Sequence, residues 1–190
     1  GLGFDQKLDD IIKFIEMTSN AGCKIFYIHA RNAILNGLST RKNRSIPPLR
    51  YDDVIYLKNL FPNLKIYING GFEYIEDIEK TLKIFDGIMI GRKIYNDPMF
   101  LTKIDELIFS SYQDKCREKI INQFLDKLTK DDHCNKKFVL RHLTNLYFNT
   151  SLSKKWKKFI HNLSNSDRPL SDLRYFSNEK RYEEKKVVST

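Results

Sequence analysis

Cysteine is scarce in this 190-residue chain, and the three present, Cys23, Cys116 and Cys134, never fall in CxxC spacing. Neither a disulfide framework nor a zinc site is suggested. Long apolar runs are also missing. The longest, such as "IFYI" and "GIMIG", fall far short of the roughly 20 residues that a membrane-spanning helix needs, so no membrane partner is expected. Gly1 opens no signal-peptide pattern, and the expectation is a soluble, intracellular, reducing setting, cytoplasm or organelle matrix. No repeat of solenoid type is present. Glycine is sparse too, at 8 residues, yet two of them stand side by side in "YINGGFEYIEDIEK".

Acidic residues thin out along the chain. Residues 1–112 hold 15 Lys+Arg against 14 Asp+Glu, whereas residues 113–190 hold 18 against 10, so nearly all of the net charge of +9 lies in the second part. Within 136–168 the only acid is Asp167, against eight basic residues. Such a concentration suits a polyanion, and equally a solvated lysine-rich surface.

Up to Pro98 short β-rich runs alternate with helical stripes. The pattern predicts helices over 7–19, 51–60 and 74–83 and strands over 24–29, 65–69 and 87–90. Leu8, Ile11, Ile12 and Ile15 stripe the first helix, with Asp5 placed to cap it; Ile75, Ile78 and Leu82 stripe the third. The strands are almost continuously apolar, which predicts a parallel sheet buried on both faces, in a doubly wound sheet or a barrel. Beyond Pro98 only helical stripes follow: Ile121, Leu125 and Leu128; Val139, His142, Leu143, Leu146 and Tyr147; Leu152, Trp156, Phe159, Ile160 and Leu163. These predict a helical bundle. The expected division is 1–112 for the β/α part, 113–165 for the helices and 166–190 for a charged, flexible tail.

In parallel β/α folds ligands bind beyond the carboxyl ends of the strands. Asn69, Gly70 and Gly71 fall there, and glycine lets the backbone approach a bound anion while the next helix offers free N–H groups. "NGG" by itself reads first as a tight strand-to-helix turn. The next strand ends in "GIMIGR", where Gly91 gives room and Arg92 offers a planar fork for phosphate. Two adjacent phosphate-compatible loops favour a phosphate site, in the manner of barrels that bind phosphate after strands 7 and 8. His29 ends the preceding strand, where a structural hydrogen bond and a ligand contact are both open readings. After it comes a long basic loop with Arg31, Arg41, Lys42 and Arg44, closed by Pro47 and Pro48.

Together "FYIHARNAILNGLS", "NRSIPPLRY", "YINGG", "DGIMIGRKIYNDP", "LRHLTNLYF" and "KKWKKF" resemble, in order and spacing, the C-terminal portion of the tRNA-dihydrouridine synthases, most closely the bacterial-type D-loop subfamily. The resemblance runs from about residue 3 to about residue 165. It implies an FMN-dependent (β/α)8 TIM barrel followed by a helical domain that grips tRNA. NADPH would reduce the flavin, a hydride would pass to the C5–C6 double bond of a uridine, and a cysteine on a mobile loop would donate the other proton. Carried across, Asn69, Gly70, Gly71, Gly91 and Arg92 would hold the FMN phosphate, and His29 would contact the flavin. Arg41 and Arg44 match loop positions that meet tRNA, the first being more often lysine, and Lys154 and Lys157 match basic positions beside the helical-domain tryptophan.

A full barrel takes about 250 residues and eight strands, and only three strands are expected here, corresponding to the sixth, seventh and eighth. The family's catalytic cysteine, in its Asn-x-x-Cys-Pro context, has no counterpart: Cys23 precedes a strand, and Cys116 and Cys134 belong to the helical part. The chain is therefore expected to be a fragment, or one piece of a split protein, inactive alone, with an exposed strand edge that favours dimerisation or edge pairing. Two other functions fit the residues: a non-catalytic RNA-binding module, and a different FMN or sugar-phosphate barrel enzyme.

Overall fold

The computed structural model describes residues 7–34, 37–43, 45, 47–109, 116–128 and 135–176. By its contacts the chain divides into two compact units, Gly1–Gly91 and Arg92–Thr190.

The first unit alternates helix and strand. It runs α1 (Leu8–Asn20), β1 (Ile25–His29), α2 (Thr40–Asn43), α3 (Tyr51–Leu60), β2 (Lys65–Asn69), α4 (Ile75–Leu82) and β3 (Gly87–Met89). The strands form one parallel sheet in the order β1-β2-β3, as the β/α alternation predicts. Lys7 caps the start of α1, its backbone N–H donating to the Asp10 carboxylate at 3.2 Å; Asp5, the expected cap, lies outside the described residues. Ile15, Val54 and Leu57 of α1 and α3 are buried. With Phe26 and Ile28 they line a cavity of about 300 Å³, so these two helices cover the Phe26/Ile28 face of the sheet.

Burial on both faces, expected from the apolar strands, is not what the described residues show. Side chains alternate across a strand, and the set opposite Phe26 and Ile28 remains open: Ile25, Tyr27 and Met89 are 48%, 65% and 48% exposed. No described helix of this unit caps that set. Tyr27 and Tyr67 stack on it with ring centroids 4.9 Å apart, and the Tyr67 ring lies over Gly87, where an added Cβ would come within 2.3 Å of it. At the amino end of the strands, Asp86 accepts from the Ile66 N–H at 2.8 Å and from Lys58 Nζ at 2.6 Å, tying α3 to the start of β2.

The second unit contains α5 (Arg92–Asn96), α6 (Phe100–Phe109), α7 (Arg117–Leu128), α8 (Lys136–Leu143), α9 (Ser153–Ser164) and a 3-10 turn at Leu170–Asp172. Ile121, Leu125, Leu140, Leu143, Trp156 and Ile160 belong to one buried cluster. Trp156 is fully buried, and its indole Nε1 donates to the Leu143 carbonyl at 2.7 Å, joining α9 to α8. Asn135 caps α8 by accepting from the Lys137 N–H at 3.0 Å. His142 was placed on the apolar stripe by its spacing, but it is exposed, and Leu140 occupies the buried position instead. The cluster also takes in Leu173 and Phe176, inside the stretch expected to be a charged tail, because their spacing continues the apolar set begun by Leu170. By contact, the described residues 92–109 group with the helices rather than with the sheet.

Candidate functional site

The three strands end level with one another. His29 pairs in register with Asn69, and Asn69 with Met89, so the carboxyl ends form one row. The Ala30 N–H donates to the Asn69 carbonyl at 2.9 Å, extending the pairing of β1 and β2 past the last strand residue. Gly70 and Gly71 follow with φ of 130° and 77°, a region that favours glycine. The Gly70 carbonyl is turned toward α3, where the Tyr51 hydroxyl donates to it at 2.5 Å. A Cβ built on Gly70 would lie 3.6 Å from His29 Cε1, which places the imidazole beside the glycine loop. Burial raises the Tyr51 pKa above 10, with the Arg31 charge opposing the shift, so the phenol is held as a donor.

Gly91 follows Met89 by two residues, as Gly71 follows Asn69. Its own backbone needs no special conformation, and a Cβ there would meet nothing within 4 Å, so the space beside it is open. Arg92 is exposed and begins α5. The helix end after "NGG" is less available to an anion than the sequence suggested, since Glu76 and Asp77 already sit in the first turn of α4 and complement its dipole. Any phosphate site here rests on the glycine backbones and a cation.

Side-chain bonds tie together the described parts of the long loop after β1. Asn43, at the end of α2, bonds both backbone groups of Ile34, accepting from its N–H at 2.6 Å and donating to its carbonyl at 2.7 Å. Arg31 Nη1 donates to the Pro47 carbonyl and to that of Ser45, the latter at 3.4 Å. Arg50 donates to Asn32 Oδ1 at 2.8 Å and pairs with Asp53. This frame leaves Arg41 and Lys42 exposed on α2; Arg44 lies outside the described residues. Asn43, Arg50 and Tyr51 were not singled out from sequence. Their side chains act on backbone groups far along the chain, and no local pattern marks that.

On α9, Lys154 and Lys157 are exposed while Trp156 between them is buried. Cys23 and Cys116 are exposed and free. Cys23 precedes β1, at the end of the sheet away from His29 and Asn69, and Cys134 lies outside the described residues. Among the described residues no group of three or more His, Cys, Asp or Glu could hold a metal ion, and no helix is long and apolar enough to cross a membrane.

A three-stranded parallel sheet alternating with helices is the architecture of part of a TIM barrel. The chain belongs to the dihydrouridine synthase (Dus) family, whose model matches residues 1–181. It is similar to the tRNA-dihydrouridine(20/20a) synthase of Synechocystis sp., 37% identical over 165 residues, covering 84% of this chain and 49% of that protein. The enzyme of the same name from Pseudomonas syringae pv. tomato is 46% identical over 102 residues, covering 54% and 30%. That from Pasteurella multocida is 34% identical over 155 residues, covering 79% and 47%. The chain thus spans about half or less of the length of these curated relatives.

Proposed function

We propose that this chain is the C-terminal part of an FMN- and NADPH-dependent tRNA-dihydrouridine synthase, comprising the last barrel strands and an RNA-gripping helical region. The observation that carries this reading is the level row of His29 and Asn69 at the strand ends, continued by the left-handed glycines Gly70 and Gly71. These residues fit a flavin phosphate. Asn69, Gly70, Gly71 and Gly91 would present backbone and open space to it, and Arg92 would supply the cation, while His29 would meet the flavin ring. When bound, FMN would supply hydride transfer from NADPH to the C5–C6 bond of a uridine. The chain's own residues would bind and orient. Arg41 and Arg44 on the basic loop, with Lys154 and Lys157 on α9, would contact tRNA phosphates. The resemblance assigns the proton donor to a cysteine that has no counterpart here, and Cys23, before β1, lies at the end of the sheet away from His29 and Asn69. The edges β1 and β3 would be covered by the remaining strands or by a second copy.

Filter binding of unmodified tRNA and a flavin-fluorescence titration with FMN test the proposal. The chain should bind tRNA with strong salt dependence, and FMN weakly, because half of a flavin site orients the ring poorly. Absence of tRNA binding at low salt would remove the reading. The position of Cys23 favours a second reading, a non-catalytic RNA-binding module. Dihydrouridine formation by the chain, alone or combined with the N-terminal half of a relative, would decide against that one.

A further inference from the structure

The outer surface of α8 is not used by any role assigned above. Its buried stripe is Val139, Leu140 and Leu143. On the opposite side Phe138, Arg141 and His142 stand at i, i+3 and i+4, the spacing of a single helix face, and Asn145 follows in the turn after α8. Phe138 is 61% exposed, and the Arg141 guanidinium lies 5.7 Å from its ring centroid. Tyr95 of α5, 50% exposed, meets His142 edge to face with centroids 6.3 Å apart and planes at 88°. Asn145 Nδ2 donates to the Tyr95 carbonyl at 3.1 Å and holds α5 there. Residues 135–148 contain no acid, and Asp97, which follows α5, is paired with Lys93 at 3.4 Å.

Exposed rings beside a guanidinium, on a surface where Asp97 is already paired with Lys93, have the chemistry that takes up unstacked nucleobases. Aromatic faces and guanidinium planes stack on a base whatever its identity, and single-stranded RNA is recognised in this way. The lysines of α9 differ in kind, because they offer charge to phosphates and no ring. We infer that Tyr95, Phe138, Arg141 and His142 form a stacking platform for an unpaired base of the RNA substrate, distinct from the phosphate-gripping lysines. The inference rests on the proposed RNA-binding function and adds a subsite to it.

The two kinds of contact separate by salt. Losing a phosphate contact lowers the slope of log K against log salt, whereas losing a stacking contact weakens binding without changing that slope. The test is tRNA filter binding over a salt series with Y95L/F138L, which keeps apolar bulk and removes the rings, and with Y95F/F138Y, which keeps them. Melting curves verify that each folds, and F138L alone, on an exposed helix face, serves if the double variant does not. The expected result is binding about five- to a hundredfold weaker at every salt concentration for Y95L/F138L, an unchanged slope, and wild-type affinity for Y95F/F138Y. A single-stranded RNA 12-mer should lose affinity in the same way while an RNA duplex does not. Wild-type affinity in Y95L/F138L, or a loss that appears equally with duplex, would overturn the platform and leave the surface as helix packing or a protein contact. If the unmodified chain bound no tRNA at low salt, the proposed function itself would fall, and the platform with it.

Discussion

The Tyr51 hydroxyl donates to the Gly70 carbonyl at 2.5 Å, linking the first turn of α3 to the glycine loop after β2. Tyr51→Phe removes the donor and leaves that carbonyl short of a partner, so thermal melting should show a loss of about 1 kcal/mol. The raised pKa of Tyr51 gives a further sign. The fold favours the protonated phenol, so this contribution is whole below the unfolded value of 10.0 and diminishes as pH rises beyond it. Wild type should lose stability above pH 10 more steeply than Tyr51→Phe.

Gly71 and Gly91 should respond oppositely to alanine. At Gly71 the φ of 77° imposes about 1–2 kcal/mol on any side chain, and the new Cβ would lie 2.6 Å from Leu49 Cδ1, which must swing aside. Gly91→Ala meets open space. Melting should therefore fall for Gly71→Ala and hold for Gly91→Ala, while FMN titration should show weakened binding in both. Unaltered FMN binding in Gly91→Ala would separate that glycine from the phosphate.

Asp86 carries the acid-sensitive contact of the first unit. Its hydrogen bond from Lys58, and then that from the Ile66 N–H, lowers its pKa below 3.8. A lowered carboxylate pKa contributes stability that is complete above the unfolded value and is lost as pH falls through the folded one. Asp86→Asn should destabilise the chain at neutral pH and flatten its decline below about pH 4, as followed by melting across a pH series.

Lys154 and Lys157 are exposed on α9, so their replacement by alanine should leave the stability, read from melting curves, within about 0.5 kcal/mol of wild type. The salt slope of tRNA binding should fall by up to about 2, one unit per phosphate contact. Trp156→Ala, between them, should do the reverse, costing about 3–5 kcal/mol in stability. An unaltered slope in the lysine variant would make these residues ordinary solvated surface.

Much of the secondary structure was legible. The strand predicted over 24–29 runs from Ile25 to His29, that predicted over 65–69 has those bounds, and α3 occupies the predicted 51–60. Local composition decided these elements, so local reading found them. His142 was misplaced because its spacing fits the buried stripe of α8 as well as a flanking position, and only the packing of Leu140 against α9 tells the two apart. The clamp between Asn43 and Ile34 could not be foreseen, since it depends on the path of the loop. The open face of the sheet could not be read either, because apolar strands look alike whether or not the elements that cover them belong to the same stretch of chain.

Trp156 is the sole tryptophan among 190 residues, and it sits in the buried cluster of the second unit. Its fluorescence is thus a private signal of that unit's core, while the circular dichroism of the β-sheet belongs to the first. Coincident transitions are the signature of a single cooperative step. Denaturation curves from the two signals would superimpose if the halves melt together and would separate if each melts alone, so one native chromophore supplies a measure of their coupling without any label.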